Sequence, residues 1–294
     1  QPGSLLTPFV AATAFSRGFS PASLVWDIPS AQPDDLLEAA NPDGVYHGPV
    51  RLRVALANDY LVPLSHLMEQ FGAADMLRLM EPFGLTTLGD GSSPETLLFS
   101  GGKITDLQIA WAYSIFANNG TQRGIQSAAT RNQLQPKTVL RVETVSGEIW
   151  LEEETITEQP ILSPQLAYLV NHVFSDEIAR RPSLGYPSPL SIGRPAAAKV
   201  GRLAGNQQIW AVGYTPHLVS VIWMWLPFAT DEASQDAQLN ERMVIGLWHA
   251  ITQYATRNQP VLDWEQPPGI SRIEVCDPSG QLPTRECPAT VSEL

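Results

Sequence analysis

The sequence offers little to a metal, to nucleic acid or to a lipid bilayer. Its two cysteines, Cys276 and Cys287, cannot furnish a four-ligand zinc site, and none of the five histidines lies beside them in sequence. The 18 basic residues are outnumbered by 30 acidic ones, and no Lys/Arg cluster stands ready to neutralise a phosphate backbone. No run approaches the roughly eighteen apolar residues that span a bilayer. The most apolar stretch, 218–228, is short enough to be a buried strand. A starting Met and a signal peptide are also missing, as expected of a fragment or processed form whose membrane anchor, if any, lies in other segments. Internal repeats and low-complexity tracts are absent. What is present is globular, because 44% hydrophobic and 16% charged residues suffice for a sizeable core.

The pattern along the chain predicts helices first and a sheet later. Residues 4–17 form a helix with Pro8 in its first turn and Gly18 as its stop. The Pro-, Asp-, Asn- and Gly-rich stretch 28–50 is a long structured loop. Helical patterns cover 51–59, 63–80, 104–118 and 163–178, and a closing amphipathic helix covers 241–254. Residues 137–154 alternate about Ser146-Gly147 as a β-hairpin. Three β-rich runs, 196–202, 208–214 and 218–226, are separated by Gly-Asn and Thr-Pro-His turns and predict adjacent antiparallel strands. Helices ahead of an antiparallel sheet, with one behind it, give an α+β fold in which the sheet packs against helices. Residues 1–258 make one domain, and the Pro-rich tail 259–294 reads as a separate appendage.

Four segments then carry a resemblance. They are Gln1-Pro2-Gly3-Ser4-Leu5-Leu6-Thr7, the run from Asn41 through His47 to Asn58, Ala197-Ala198-Lys199-Val200-Gly201, and Trp210 to Pro216. In that order, and with the Ser279–Thr284 stretch before Cys287, they resemble the penicillin-binding transpeptidase domain of class A penicillin-binding proteins. The resemblance implies a β-lactamase/transpeptidase-like fold, here truncated at its N-terminus. It also implies a serine acyl-enzyme chemistry acting on D-Ala-D-Ala stem peptides in peptidoglycan synthesis, which β-lactams mimic. It calls for no cofactor and no metal. It places the chain outside the bacterial cytoplasm, with the parent protein anchored in the cytoplasmic membrane, and there a bond between Cys276 and Cys287 would persist.

The same resemblance exposes replacements. Ser4 stands at the nucleophile position, but Thr7 occupies the place of the Lys base. Asp59 and Leu61 stand for the Ser and Asn of the Ser-x-Asn motif. In the Lys-Thr-Gly strand Lys199 and Gly201 remain, Val200 replaces Thr, and Arg202 follows where Thr or Ser is usual. A serine hydroxyl is a poor nucleophile until a positioned base takes its proton, and losing a general base costs about 10²–10⁴-fold in rate. Catalysis is therefore expected to be impaired, leaving a role in binding or scaffolding among cell-wall synthesis proteins. Stem peptide or β-lactam would bind at most weakly, and nucleic acid not at all. Two rival expectations stand beside this one. A slow acyl-transferase would use Ser4 with Asp59 as substitute base, and a closed-cleft interaction module would bind no substrate.

Each residue also has a plainer reading. Ser4 could be a helix N-cap, Asp59 a cap or turn residue, and Lys199 an ordinary exposed lysine rather than an anion contact. His47 is expected in loop packing rather than catalysis. Trp210, Trp223 and Trp225, at strand spacing, are expected in the core rather than as a sugar platform.

Overall fold

The computed structural model describes residues 1–29, 41, 43–88, 102–126, 134–152, 155–202, 208–226 and 239–294. Residues 30–40 and 42 of the predicted loop 28–50, the Gly-Asn turn before the second β-rich run and the end of the predicted hairpin at 153–154 lie outside the described residues.

A 3-10 turn, Gly3–Leu6, runs into helix α1, Thr7–Ser16. Strands β1, Leu24–Asp27, and β2, Gly48–Arg51, pair antiparallel ahead of α2, Leu52–Asn58, α3, Leu61–Phe71, and α4, Ala73–Met80. Next come α5, Asp106–Ala117, then β3, Thr121–Gln126, β4, Leu134–Gln135, β5, Arg141–Glu143, β6, Ile149–Glu152, and β7, Thr157–Pro160. Helix α6, Pro164–Phe174, and the short α7, Arg181–Leu184, lead into β8, Ala197–Arg202, β9, Gln208–Thr215, and β10, Leu218–Trp225. Helix α8, Glu241–Thr256, is followed by β11, Ile273–Cys276, and β12, Thr290–Glu293.

The central sheet has the order β10-β9-β8 with antiparallel pairing throughout, as the three β-rich runs predicted. Its strands β8 and β9 are buried on both faces, and the period-two alternation shows how. Ala197, Trp210, Val212 and Tyr214 face a core shared with α1, α5 and α6, while Ala198, Val200, Ile209 and Ala211 face Val244, Ile245 and Trp248 of α8. Helix α1 is apolar on all sides and buried from Thr7 to Phe15, the pattern of a helix at the centre of a fold. Tyr113 of α5 fixes its entry by donating its hydroxyl to Leu5 O at 2.7 Å.

The continuous helix expected over 63–80 is instead two helices. Gly72 adopts φ +79° between α3 and α4, a left-handed value that a helix interior does not allow. Trp223 and Trp225 also depart from expectation. They are 40% and 55% exposed on β10, which pairs with β9 alone among the described residues, and only Trp210 is in the core. The three rings stack in a ladder, 5.2 Å and then 4.6 Å between centroids.

The tail from 259 onward is docked on the main body. Trp264 is buried and donates its indole N–H to Ala117 O at 3.0 Å. Glu293 of β12 accepts from Arg53 Nε at 2.8 Å, and Arg51 reaches both Glu293 and Asp277. Cys276 and Cys287 form a disulfide with 5.6 Å between their Cα atoms.

Candidate active site

The 3-10 turn brings Ser4 against β8 because Gly201 has no side chain. A Cβ there would lie 2.4 Å from Leu5 Cγ and 2.8 Å from Leu5 Cδ2, closer than real contacts allow, and 3.0 Å from Pro2 O. Ser4 is consequently buried beside Val200, Arg202 and Asp59. Its Oγ lies 3.2 Å from Asp59 Oδ2 and 3.3 Å from Val200 O, and accepts from Arg202 N–H at 3.3 Å. A hydroxyl has one hydrogen, so the carboxylate and the carbonyl compete for it. The N-cap reading of Ser4 does not hold. Leu6 occupies the N-cap of α1 without any side-chain cap, and the Ser4 side chain points to β8 instead.

Thr7 is fully buried, and its hydroxyl donates to the Ser4 backbone carbonyl at 3.0 Å. That bond closes a turn and leaves the Ser4 hydroxyl without a base from this side. Leu61 is buried at the start of α3 within the main core.

Asp59 ends α2 in the left-handed region, φ +59°, so its place as a turn residue and its contact with Ser4 are both real. Its carboxylate is the hub of the site. Lys199 Nζ pairs with Oδ1, and Arg202 donates from one guanidinium nitrogen to Oδ2 at 2.9 Å. The Arg202 fork also holds Glu241, the first residue of α8, at 2.6 and 2.8 Å. Lys199 is only 4% exposed, which overturns its reading as an ordinary surface lysine. Burial lowers its pKa, and contact with Asp59 opposes that shift. For Arg202, burial works against the cation, but Glu241 and Asp59 more than offset it, so its pKa is raised. The void beside these groups, bounded in part by Arg180, Leu184 and Leu190, measures about 20 Å³. That admits about one water and no peptide.

Sequence reasoning missed Glu241 and Arg180. Nothing in local pattern ties Glu241 to a strand 39 residues earlier. Burial pulls Arg180 down to about 10. A second polar cluster was also missed. Arg53 donates to the His172 carbonyl at 3.2 Å and to Asp176 at 3.1 Å, and Arg272 lies 2.9 Å from His172 Nε2. Burial, with Arg53 and Arg272 beside it, pulls His172 down to about 4. His47 is in loop packing, its ring stacked 4.0 Å from that of Tyr60 and its nitrogens on Asp27 and Asp43.

No protein-family model matches the chain. It is similar to penicillin-binding protein 1C of Escherichia coli (strain K12), with 27% identity over 284 residues, 96% of this chain and 33% of that protein. The chain thus spans about a third of that relative's length. In structure it is similar to penicillin-binding protein 1A from Haemophilus influenzae, with a TM-score of 0.80, 18% identity, and coverage of 100% of this chain and 48% of the other. It is also similar to penicillin-binding protein A from M. tuberculosis in an imipenem acyl-enzyme complex, with a TM-score of 0.59, 18% identity, and coverage of 85% and 59%. In sequence and in fold, the chain resembles the penicillin-binding transpeptidase domain of class A penicillin-binding proteins.

Proposed function

We propose that the chain is the transpeptidase-type domain of a cell-wall synthesis protein that does not acylate efficiently at Ser4 and acts outside the cytoplasm in binding or scaffolding. One observation carries the reading: the Ser4 hydroxyl is buried against a carboxylate already held by two cations, with no base at Thr7. The exposed apolar residues of the β5–β6 hairpin support the scaffolding half. Val142, Ile149 and Leu151 on one side and Trp150 on the other all stand in solvent, with Trp150 71% exposed, as at protein-binding surfaces.

A second reading is favoured by the 3.2 Å contact of Ser4 with Asp59, which would make Asp59 the base of a slow acyl-transferase. Asp59 would have to release Lys199 or Arg202 to take the proton, so this reading ranks second. Stem peptides and β-lactams would be weak ligands in either case, and other cell-wall synthesis proteins are the expected partners. Incubation with a labelled penicillin tests the choice by intact mass. An unchanged mass after an hour fits the non-acylating reading, and a stoichiometric adduct on Ser4 within minutes would overturn it.

A further inference from the structure

We infer that Asp59 is an intramolecular ligand: its carboxylate fills a preformed carboxylate cradle built by Ser4, Lys199 and Arg202, so the cleft is closed by occupancy and not by collapse. The inference deepens the non-acylating reading and rests on it for the identity of the cleft. Three donors from two separate elements converge on this one group, namely the Ser4 hydroxyl, the Lys199 ammonium and the Arg202 guanidinium. Convergent hydroxyl and cationic donors are what a buried carboxylate requires.

One of the two cations, Arg202, is anchored apart from Asp59. Nε and one terminal nitrogen of its guanidinium are fixed by Glu241, leaving the other terminal nitrogen for Asp59, while Lys199 is buried 5.9 Å from the centre of the Phe174 ring with its ammonium on Asp59. The ligand, by contrast, is delivered at a conformational cost. Asp59 and Asn119 are the non-glycine residues with positive φ among the described residues, and for an L-residue that region is unfavourable. A strained residue presenting its side chain to a braced guanidinium and a buried ammonium is the arrangement of a built-in occupant.

The fold therefore predicts what happens when the occupant leaves. Asp59→Gly removes the carboxylate, leaves room for one in its place and suits the left-handed backbone, so the loss is not confounded by backbone strain. Its thermal midpoint should fall by roughly 10 °C, because a buried cation loses its partner. Sodium acetate at about 100 mM should restore at least half of that loss, by binding the native state alone. Sodium chloride at the same ionic strength should restore none, and neither salt should move the native chain by a comparable amount. Asp59→Asn, which keeps the side-chain volume, should gain nothing from acetate. Neither should Asp59→Gly combined with Lys199→Met.

If Asp59→Gly does not fold alone, refolding with and without acetate is compared, and a soluble product only with acetate supports the inference. Equal rescue by chloride, rescue of Asp59→Asn, or no rescue in either format would overturn it. A failed rescue overturns the inference and leaves the non-acylating reading standing, whereas a penicillin adduct on the native chain overturns that reading, and with it the closed cleft, whatever acetate does to Asp59→Gly.

Discussion

At Ser4 the distance between a serine and a catalytic serine is a matter of what surrounds one oxygen. The hydroxyl has a carboxylate, a carbonyl and a backbone N–H within 3.3 Å, and none of these is a free base. Replacing Thr7 with Lys is therefore expected to yield no β-lactam adduct by intact mass. The new ammonium would enter a fully buried site already holding Lys199 and Arg202, and stability should fall by about 2–4 kcal/mol in urea denaturation. Labelling at Ser4 by this single variant would show that the other replacements are silent. At this scale the sequence was a partial guide. Ser4, Lys199 and Gly201 could be picked out by motif and Asp59 as a possible neighbour of Ser4, but the hold of Lys199 and Arg202 on Asp59 could not. Asp59 lies 55 residues from Ser4 and 140 from Lys199, and only the folded chain decides that it meets both.

Among the elements, the contact of the 3-10 turn with β8 is the one that builds the site. Gly201→Ala would drive a methyl group into Leu5 and Pro2, and overpacking of this kind costs about 1–3 kcal/mol. Urea denaturation should register that loss, and an unaltered midpoint would mean the turn shifts freely.

The junction of α2, α6 and the tail carries a pH dependence. His172 titrates at about 4 in the folded chain against 6.5 as its ordinary value, so the unfolded chain binds more protons between those limits. Stability must then rise with pH from about 4 to about 6.5 and fall on acidification through the same window. Discounted for solvent screening, the contribution is about 1–2 kcal/mol. His172→Gln should flatten that part of the profile relative to the native chain, and identical profiles would contradict the assignment. Strand and helix positions were legible because apolar periodicity follows burial. The break at Gly72 was not, since a lone glycine inside a helical pattern is usually tolerated. The exposure of Trp223 and Trp225 was equally hidden, because period-two spacing puts them on one face without saying what covers it.

For the molecule as a whole, the tail belongs to the stability of the body. Trp264 enters the main core, Glu293 is buried against Arg53, and the Cys276–Cys287 bond closes the turn between β11 and β12. Reduction of that bond should cost about 2–3 kcal/mol in the chain-entropy account, read as a lower urea midpoint. An unchanged midpoint would mean that the β11–β12 pairing alone holds the tail. Pro-rich composition made the tail look detachable, whereas its few buried residues, spread over thirty positions, left no periodic signal of docking.

On the function proposed above, Ser4 is silenced by its surroundings and not by its own absence. The most direct test compares intact mass after prolonged incubation with a labelled penicillin. One sample is the native chain, and the other carries Thr7→Lys, Asp59→Ser, Leu61→Asn, Val200→Thr and Arg202→Thr together. The account predicts an unmodified native chain and a measurable adduct at Ser4 in the fivefold variant. A native chain labelled to completion at Ser4 would contradict it.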